Sequence, residues 1–176
     1  MKPGALPAAF EKAKKLENWI DWMMTKRLAG FLLFTDIVFL VYWTAMLLDL
    51  AGLVSLPPSV MYKDYDDPRV IAWNWSFFPI DVLFSVTGIA AVHFSRRGNL
   101  MWRPLAILSL CLTFVAGFMA VAYWSLLAEF DPAWFLPNLG LAVWPWFFIG
   151  GLVTAEARDH RPPLRDDRFI PDDPLL

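Results

Sequence analysis

Four long apolar runs constrain this chain more than any other feature. They extend over about residues 28–56, 70–94, 104–128 and 133–155. A helix needs about 20 mostly apolar residues to cross a bilayer, because each residue adds about 1.5 Å across a hydrocarbon core about 30 Å thick. Hydrophobic residues make up 58% of the sequence, above the roughly 45–50% of a soluble domain. The runs therefore predict four transmembrane helices.

Short connections between the runs predict how the helices pack. Only a few residues join the second run to the third, and the third and fourth runs meet near residues 129–132. Consecutive helices must then be antiparallel neighbours. The predicted fold is all-α, an integral membrane four-helix up-down bundle over residues 28–155.

The basic residues are divided unequally between the two ends of this bundle. Of the 15 Lys and Arg residues, all but Lys63 and Arg69 precede the first run, join the second run to the third, or follow the fourth. Because cytoplasmic segments hold the excess of Lys and Arg, we expect both termini in the cytoplasm. The predicted location is the bacterial inner membrane.

The segments that flank the bundle differ in character. In residues 1–27, the apolar side chains recur every three or four residues from Phe10 to Met23. This pattern predicts an amphipathic helix in the cytoplasmic interface, with a soluble docking helix as the alternative. Residues 156–176 are rich in Pro, Asp and Arg and predict a disordered cytoplasmic tail.

Two carboxyl groups within the spans are the leading candidates for chemistry. Asp36 and Asp81 interrupt the first and second runs, and a carboxylate at the centre of a membrane helix costs about 2.5–3.5 kcal/mol. Counting along each helix from its cytoplasmic end puts the two groups within one or two helical turns of each other. No Lys, Arg or His lies at that depth, so we expect at least one of the two to be protonated at neutral pH.

The second run carries a polar and small stripe around Asp81. Asn74, Phe78, Asp81, Ser85 and Gly88 follow the alternating spacing of four and three residues that defines one side of a helix. Pro79 removes one backbone donor just before Asp81 and predicts a kink there. The candidate proton or solute site thus comprises Asp36, Asn74, Asp81 and Ser85. The alternative is that these groups only hold helices together through hydrogen bonds.

The predicted external loop contains a cluster of carboxylates, Asp64, Asp66 and Asp67. Three carboxylates could hold a divalent cation through oxygen ligands, but their spacing matches no calcium-binding loop. They are therefore interpreted as solvated groups, with the cation site as the alternative, and no metal or other cofactor is predicted. The sequence has no basic face typical of nucleic-acid binding, and it lacks the common motifs of hydrolases, metalloproteases, nucleotide-binding proteins and thiol oxidoreductases.

Two stretches resemble the YvaD-like family of small bacterial membrane proteins, whose members are hydrophobic four-helix chains of unknown function. They are FTDIVFLVYW (residues 34–43) and KDYDDPRVIAWNWSFFPID (residues 63–81), and they cover roughly the first half of the span region. The resemblance implies a motif role, but no reaction, for seven positions. These are Asp36, Asp64, Tyr65, Asn74, Trp75, Pro79 and Asp81.

These observations lead to three functional hypotheses. The first is a non-enzymatic membrane protein that handles a proton, a cation or a small solute through Asp36 and Asp81, working as a homo-oligomer. The second is an accessory or assembly subunit of a larger membrane complex, in which the carboxylates are structural. A membrane enzyme ranks third, because no set of nucleophile, base and metal can be assembled from these residues.

Overall fold

A computed structural model of the chain describes residues 8–159, with side chains from Thr25 onward except at Ser59 and a few positions near the end of the last helix. Within these residues the regular elements are helices. They are α1 (Ala8–Leu50), a 3₁₀ turn (Pro58–Val60), α2 (Pro68–Arg96), α3 (Trp102–Leu126), α4 (Pro132–Val143) and α5 (Trp146–Asp159). Four stretches are long and apolar enough to cross a membrane, namely Thr25–Leu50, Pro68–Arg96, Trp102–Leu126 and Pro132–Thr154. The predicted all-α class with four spans is confirmed.

The first helix is longer than its span. α1 runs for 43 residues from Ala8 to Leu50, so the segment predicted as an interfacial helix continues into the first span without a break. Residues 1–7 and 160–176, which include most of the predicted tail, lie outside the described residues. The interfacial position of the first segment and the disorder of the tail stay predictions.

The fourth span is divided into two helices rather than one. α4 ends at Val143 and α5 begins at Trp146, with Pro145 between them. Proline has no backbone N–H, and its ring collides with the carbonyl four residues earlier, so a helix is interrupted there. In contrast, α2 continues through Pro79 from Pro68 to Arg96.

Two helices at one end of the bundle begin with the same local signal. Asp67 precedes α2 and accepts a hydrogen bond from the backbone N–H of Arg69 at 2.7 Å. Asp131 precedes α4 and accepts one from Ala133 at 2.9 Å. In each case a proline follows at the first helical position, where its missing N–H costs nothing.

The helices pack in sequence order. α1 packs against α2, α2 against α3, and α3 against both α4 and α5. One end of the bundle, called the basic end, carries Lys26, Arg27, Arg96, Arg97 and Arg103. The opposite, acidic end carries Asp64, Asp66, Asp67, Glu129 and Asp131.

A salt bridge links two loops at the acidic end. Lys63 Nζ lies 2.6 Å from Glu129 Oε2, and this hydrogen bond raises the pKa of Lys63. The bridge joins the α1–α2 loop to the turn between α3 and α4. Both side chains are more than one-third exposed, so the bridge contributes little to stability.

The two halves of the bundle interior are packed differently. Near the basic end, buried side chains from α1, α2, α3 and α5 form one apolar cluster, which consists of Leu28, Leu32, Ala91, Val92, Ala106, Leu110, Phe148 and Leu152. Near the acidic end, the buried cluster draws on α1, α2, α3 and the loop residue Tyr62. No residue of α4 is buried. The acidic half is therefore incompletely filled on the side of α4.

Candidate functional site

Asp81 lies inside the bundle, and only one of its two carboxyl oxygens has a hydrogen-bond partner among the described residues. It is 3% exposed, and its Oδ2 accepts a hydrogen bond from the indole N–H of Trp43 on α1 at 2.9 Å. Its Oδ1 is buried and has no hydrogen-bond partner among the described residues. Buried polar atoms in proteins are nearly always hydrogen-bonded, so this oxygen requires an explanation.

Asn74 repeats this arrangement seven residues earlier on the same face of α2. Its Oδ1 accepts a hydrogen bond from the Tyr42 hydroxyl at 3.1 Å, and its buried Nδ2 has no partner in the described part of the chain. Tyr42 and Trp43 are adjacent on α1, so one turn of α1 donates hydrogen bonds to both Asn74 and Asp81. The result is one free acceptor, on Asp81, and one free donor, on Asn74.

Both residues line a cavity of about 470 Å³ between α1, α2, α3 and α4. This volume is within the roughly 300–1,000 Å³ of small-molecule sites. Most of the cavity surface is apolar, and much of it comes from aromatic side chains, which are Phe31, Phe34, Phe39, Tyr42, Trp43, Tyr62, Trp73, Phe77, Trp124, Trp134 and Trp144.

The cavity opens sideways between α1 and α4. On its α1 edge, Phe34 is 71% and Val38 48% exposed, and on its α4 edge Pro137 and Gly140 are exposed. Each of these four residues lines the cavity. In a membrane, this opening would face the lipid chains rather than water.

Aromatic side chains close the cavity toward both ends of the bundle. Toward the basic end, the ring of Phe31 stacks on Trp144 at a centroid distance of 5.3 Å and lies 5.6 Å from Phe148. Toward the acidic end, the loop residue Tyr62 is 4% exposed. Burial raises the pKa of the Tyr62 phenol, which keeps this group neutral at physiological pH.

Asp36 occupies a different, tightly packed place in the bundle. It is fully buried, does not line the cavity, and neither carboxyl oxygen has a partner among the described residues. Its side chain packs on Gly88 of α2, where a Cβ atom would overlap Asp36 Oδ2 and lie 2.9 Å from Ser109 Oγ. Asp36 and Ser109 are thus close neighbours, and both need Gly at position 88.

The surroundings of Asp36 are polar but small. Ser109 Oγ donates a hydrogen bond to the carbonyl oxygen of Phe84 at 3.0 Å. Ser85, one turn before Gly88, is also fully buried, and its hydroxyl has no partner in the described part of the chain. A neutral carboxyl group can exchange hydrogen bonds with such hydroxyls across a helix interface.

An aromatic pair separates the two carboxyl groups. Phe39 and Phe84 lie between them along α1 and α2, and their rings are in edge contact at 5.1 Å. Since Asp36 packs on Gly88 and Asp81 on Trp43, the two sites are seven residues apart on each helix, which is about 10 Å of helical rise. The structure brings Asp81 together with Asn74, and it places Asp36 with Gly88 and Ser109, one turn from Ser85.

Two of the three acidic loop residues, Asp64 and Asp67, contribute to local structure. Asp67 caps α2, and the carbonyl of Asp64, a residue with a φ of 53°, accepts a hydrogen bond from the Asp67 N–H at 3.0 Å. Among the described residues, no three His, Cys, Asp or Glu side chains come close enough to hold a metal ion.

The sequence did not single out Tyr42, Trp43 or Ser109 as site residues. Trp43 entered only as the last residue of the stretch FTDIVFLVYW, although it follows Asp36 by seven residues and therefore lies on the same face of α1. Ser109 carries no such signal, because the third run contains no charged residue near it. Only the packing of α3 against α2 shows its role.

Comparison with known proteins places the chain in a family. A family model described as a family of unknown function (DUF5360) matches residues 28–159. The uncharacterized protein YvaD of Bacillus subtilis (strain 168) is 42% identical over 128 residues, which cover 73% of this chain and 92% of that protein. The resemblance drawn from the sequence is thereby confirmed. No solved structure matches the chain.

Proposed function

This chain belongs to DUF5360, a family of unknown function, and we propose that it is a multi-pass membrane protein that binds a small amphiphilic solute between α1 and α4. The observation that carries this proposal is the position of Asp81 and Asn74. Both line the cavity, and each has one buried polar atom without a partner among the described residues.

A bound solute would supply hydrogen-bond partners for Asp81 Oδ1 and Asn74 Nδ2. Leaving a buried donor or acceptor unsatisfied costs about 1–3 kcal/mol, and a ligand with a polar group near Asp81 and Asn74 would remove part of that cost. The aromatic wall would bury the apolar part of the same ligand. A sideways opening favours solutes that first dissolve in the bilayer.

The geometry favours different roles for the two carboxyl groups, Asp36 and Asp81. Asp81 with Asn74 is the proposed ligand site, whereas Asp36 is proposed as an interhelical contact, because it is fully buried and Phe39 and Phe84 separate it from the cavity. We keep the bacterial inner membrane with both termini in the cytoplasm as the proposed location. Asp81 would then lie near the middle of the bilayer, since it stands near the centre of α2.

Three probes of similar shape and different charge test the proposal. They are benzyltrimethylammonium, its uncharged carbon analogue neopentylbenzene, and phenylmethanesulfonate. We expect at least one to raise the unfolding midpoint of the protein in nanodiscs, since a ligand at 100 times its Kd stabilises by about 2.7 kcal/mol. Gly140→Trp adds a ring where a Cβ meets no atom within 4 Å, and it should abolish the shift.

Gly30→Trp is the matched control for this experiment. Gly30 is also exposed with nothing within 4 Å of a Cβ, but it does not line the cavity, so its variant should keep the shift. If no probe shifts the midpoint of the unmodified protein, or if Gly140→Trp responds as fully as Gly30→Trp, the solute-binding proposal is wrong. The accessory-subunit hypothesis would then be preferred.

A further inference from the structure

Among the residues whose side chains the structure describes, the cavity is lined by one acidic group and no basic group. Its titratable side chains are Asp81 from α2, Tyr42 from α1 and Tyr62 from the α1–α2 loop, and no described Lys, Arg or His lines it. The one donor to Asp81, the Trp43 indole, is neutral. An ionised Asp81 would therefore have no counter-charge in the cavity, and a buried charge needs one.

The aromatic side chains that line the cavity favour a positive charge in it. Eleven of the 22 lining residues are Phe, Tyr or Trp, and the faces of such rings attract cations, Trp most strongly. Trp43 combines both features, because it donates to Asp81 and also packs against the rings of Tyr42, Trp75 and Phe78. Aromatic rings around one carboxylate are the surroundings that suit a positively charged organic group.

We propose that the solutes bound in this cavity are lipophilic organic cations, with the positive charge beside the Asp81 carboxylate and the apolar groups against the aromatic wall. This inference rests on the proposed function and specifies its substrate class. The cation supplies the missing charge at Asp81 Oδ1, and the opening between α1 and α4 admits a molecule that has already partitioned into lipid.

Other ligand classes fit the same observations less well. A hard inorganic cation such as Ca²⁺ is usually held by several carboxylates, whereas Asp81 supplies the one carboxylate on the described lining, and its Oδ2 already accepts a hydrogen bond from Trp43. An organic anion would meet the Asp81 carboxyl without any Lys or Arg. A neutral solute would make no use of the attraction of the ring faces for a cation.

Equilibrium dialysis against the protein in nanodiscs tests the inference, with radiolabelled benzyltrimethylammonium and neopentylbenzene as the cationic and neutral probes. Each affinity is corrected for partitioning into nanodiscs without protein. We expect the cation to bind tighter than the neutral analogue. We also expect Asp81→Asn to weaken cation binding about 10- to 100-fold, or about 1.4–2.8 kcal/mol, and to leave the neutral probe unchanged.

Two further variants make the result specific. Asp36→Asn removes a carboxyl that does not line the cavity, so cation affinity should be unchanged. Asp81→Glu keeps the charge and should retain most of the preference for the cation. The comparison of the two probes on the unmodified protein remains valid even if Asp81→Asn fails to fold.

The possible failures are distinguishable. If the neutral probe binds as tightly as the cation, or if Asp81→Asn leaves cation affinity unchanged, the inference about charge is wrong while the solute-binding function stands. If neither probe binds and phenylmethanesulfonate also leaves the unfolding midpoint unchanged, both proposals fall together.

Discussion

Gly88→Ala is expected to lower the free energy of unfolding by about 3 kcal/mol, toward the upper end of what overpacking a well-filled interior costs. The added Cβ would overlap the carboxyl of Asp36 and press on Ser109 Oγ at 2.9 Å. Asp36 is fully buried, so its carboxyl group cannot move out into solvent to avoid the new atom. The measurement is the unfolding free energy in mixed micelles under increasing denaturing detergent.

A double-mutant cycle identifies the cause of this loss. Asp36→Ala removes the atoms that the new Cβ would meet, so the second substitution should recover part of the stability lost in Gly88→Ala, with a coupling of about 1–3 kcal/mol. Gly30→Ala is the matched control, because a Cβ there meets nothing within 4 Å. A Gly88→Ala variant as stable as Gly30→Ala, or a cycle without coupling, would contradict the packing of Asp36 on Gly88.

Gly117→Ala is expected to weaken the attachment of α4 to the bundle. A Cβ at this position would lie 2.6 Å from the backbone N of Ala142 and 2.7 Å from the carbonyl O of Asn138. Backbone atoms cannot rotate away as a side chain does, so α3 and α4 must separate. We expect a loss of about 3 kcal/mol, together with weaker probe binding, since Asn138 and Leu141 also line the cavity.

Gly140→Ala provides the control on α4 itself. Nothing lies within 4 Å of a Cβ at Gly140, so this variant should unfold like the unmodified protein. If Gly117→Ala is equally stable and binds the probes equally well, α3 and α4 do not approach as closely as the structure shows. The part of the cavity that α3 and α4 line would then differ from the one described above.

The spans were predictable because length and hydropathy can be read directly from the sequence. The four predicted runs agree with the helical spans to within a few residues at most ends. The division of the fourth span was not predicted, although Pro145 stands inside that run. Proline alone does not determine such a break, because α2 continues through Pro79 and α4 through Pro137.

The relation between the carboxyl groups was not predictable in the same way. Spacing placed Asn74, Asp81, Ser85 and Gly88 on one face of α2, but the rotation and height of α1 against that face depend on tertiary packing. A shift of α1 by one turn would have exchanged the neighbours of Asp36. Contacts between α1 and α2, such as those of Asp36 with Gly88 and of Trp43 with Asp81, fix this register.

Infrared difference spectroscopy tests most directly whether the two carboxyl groups form separate sites. Bands would be assigned with Asp36→Asn and Asp81→Asn, and followed through a pH titration and transfer into D₂O. We expect the Asp81 band to respond to pH and to exchange, because the cavity has room for water beside Asp81, and the Asp36 band to do neither, because Asp36 is fully buried and does not line the cavity. A silent Asp81 beside an Asp36 that exchanges, or two bands that titrate as one coupled pair, would contradict the division into a ligand carboxyl and a packing carboxyl.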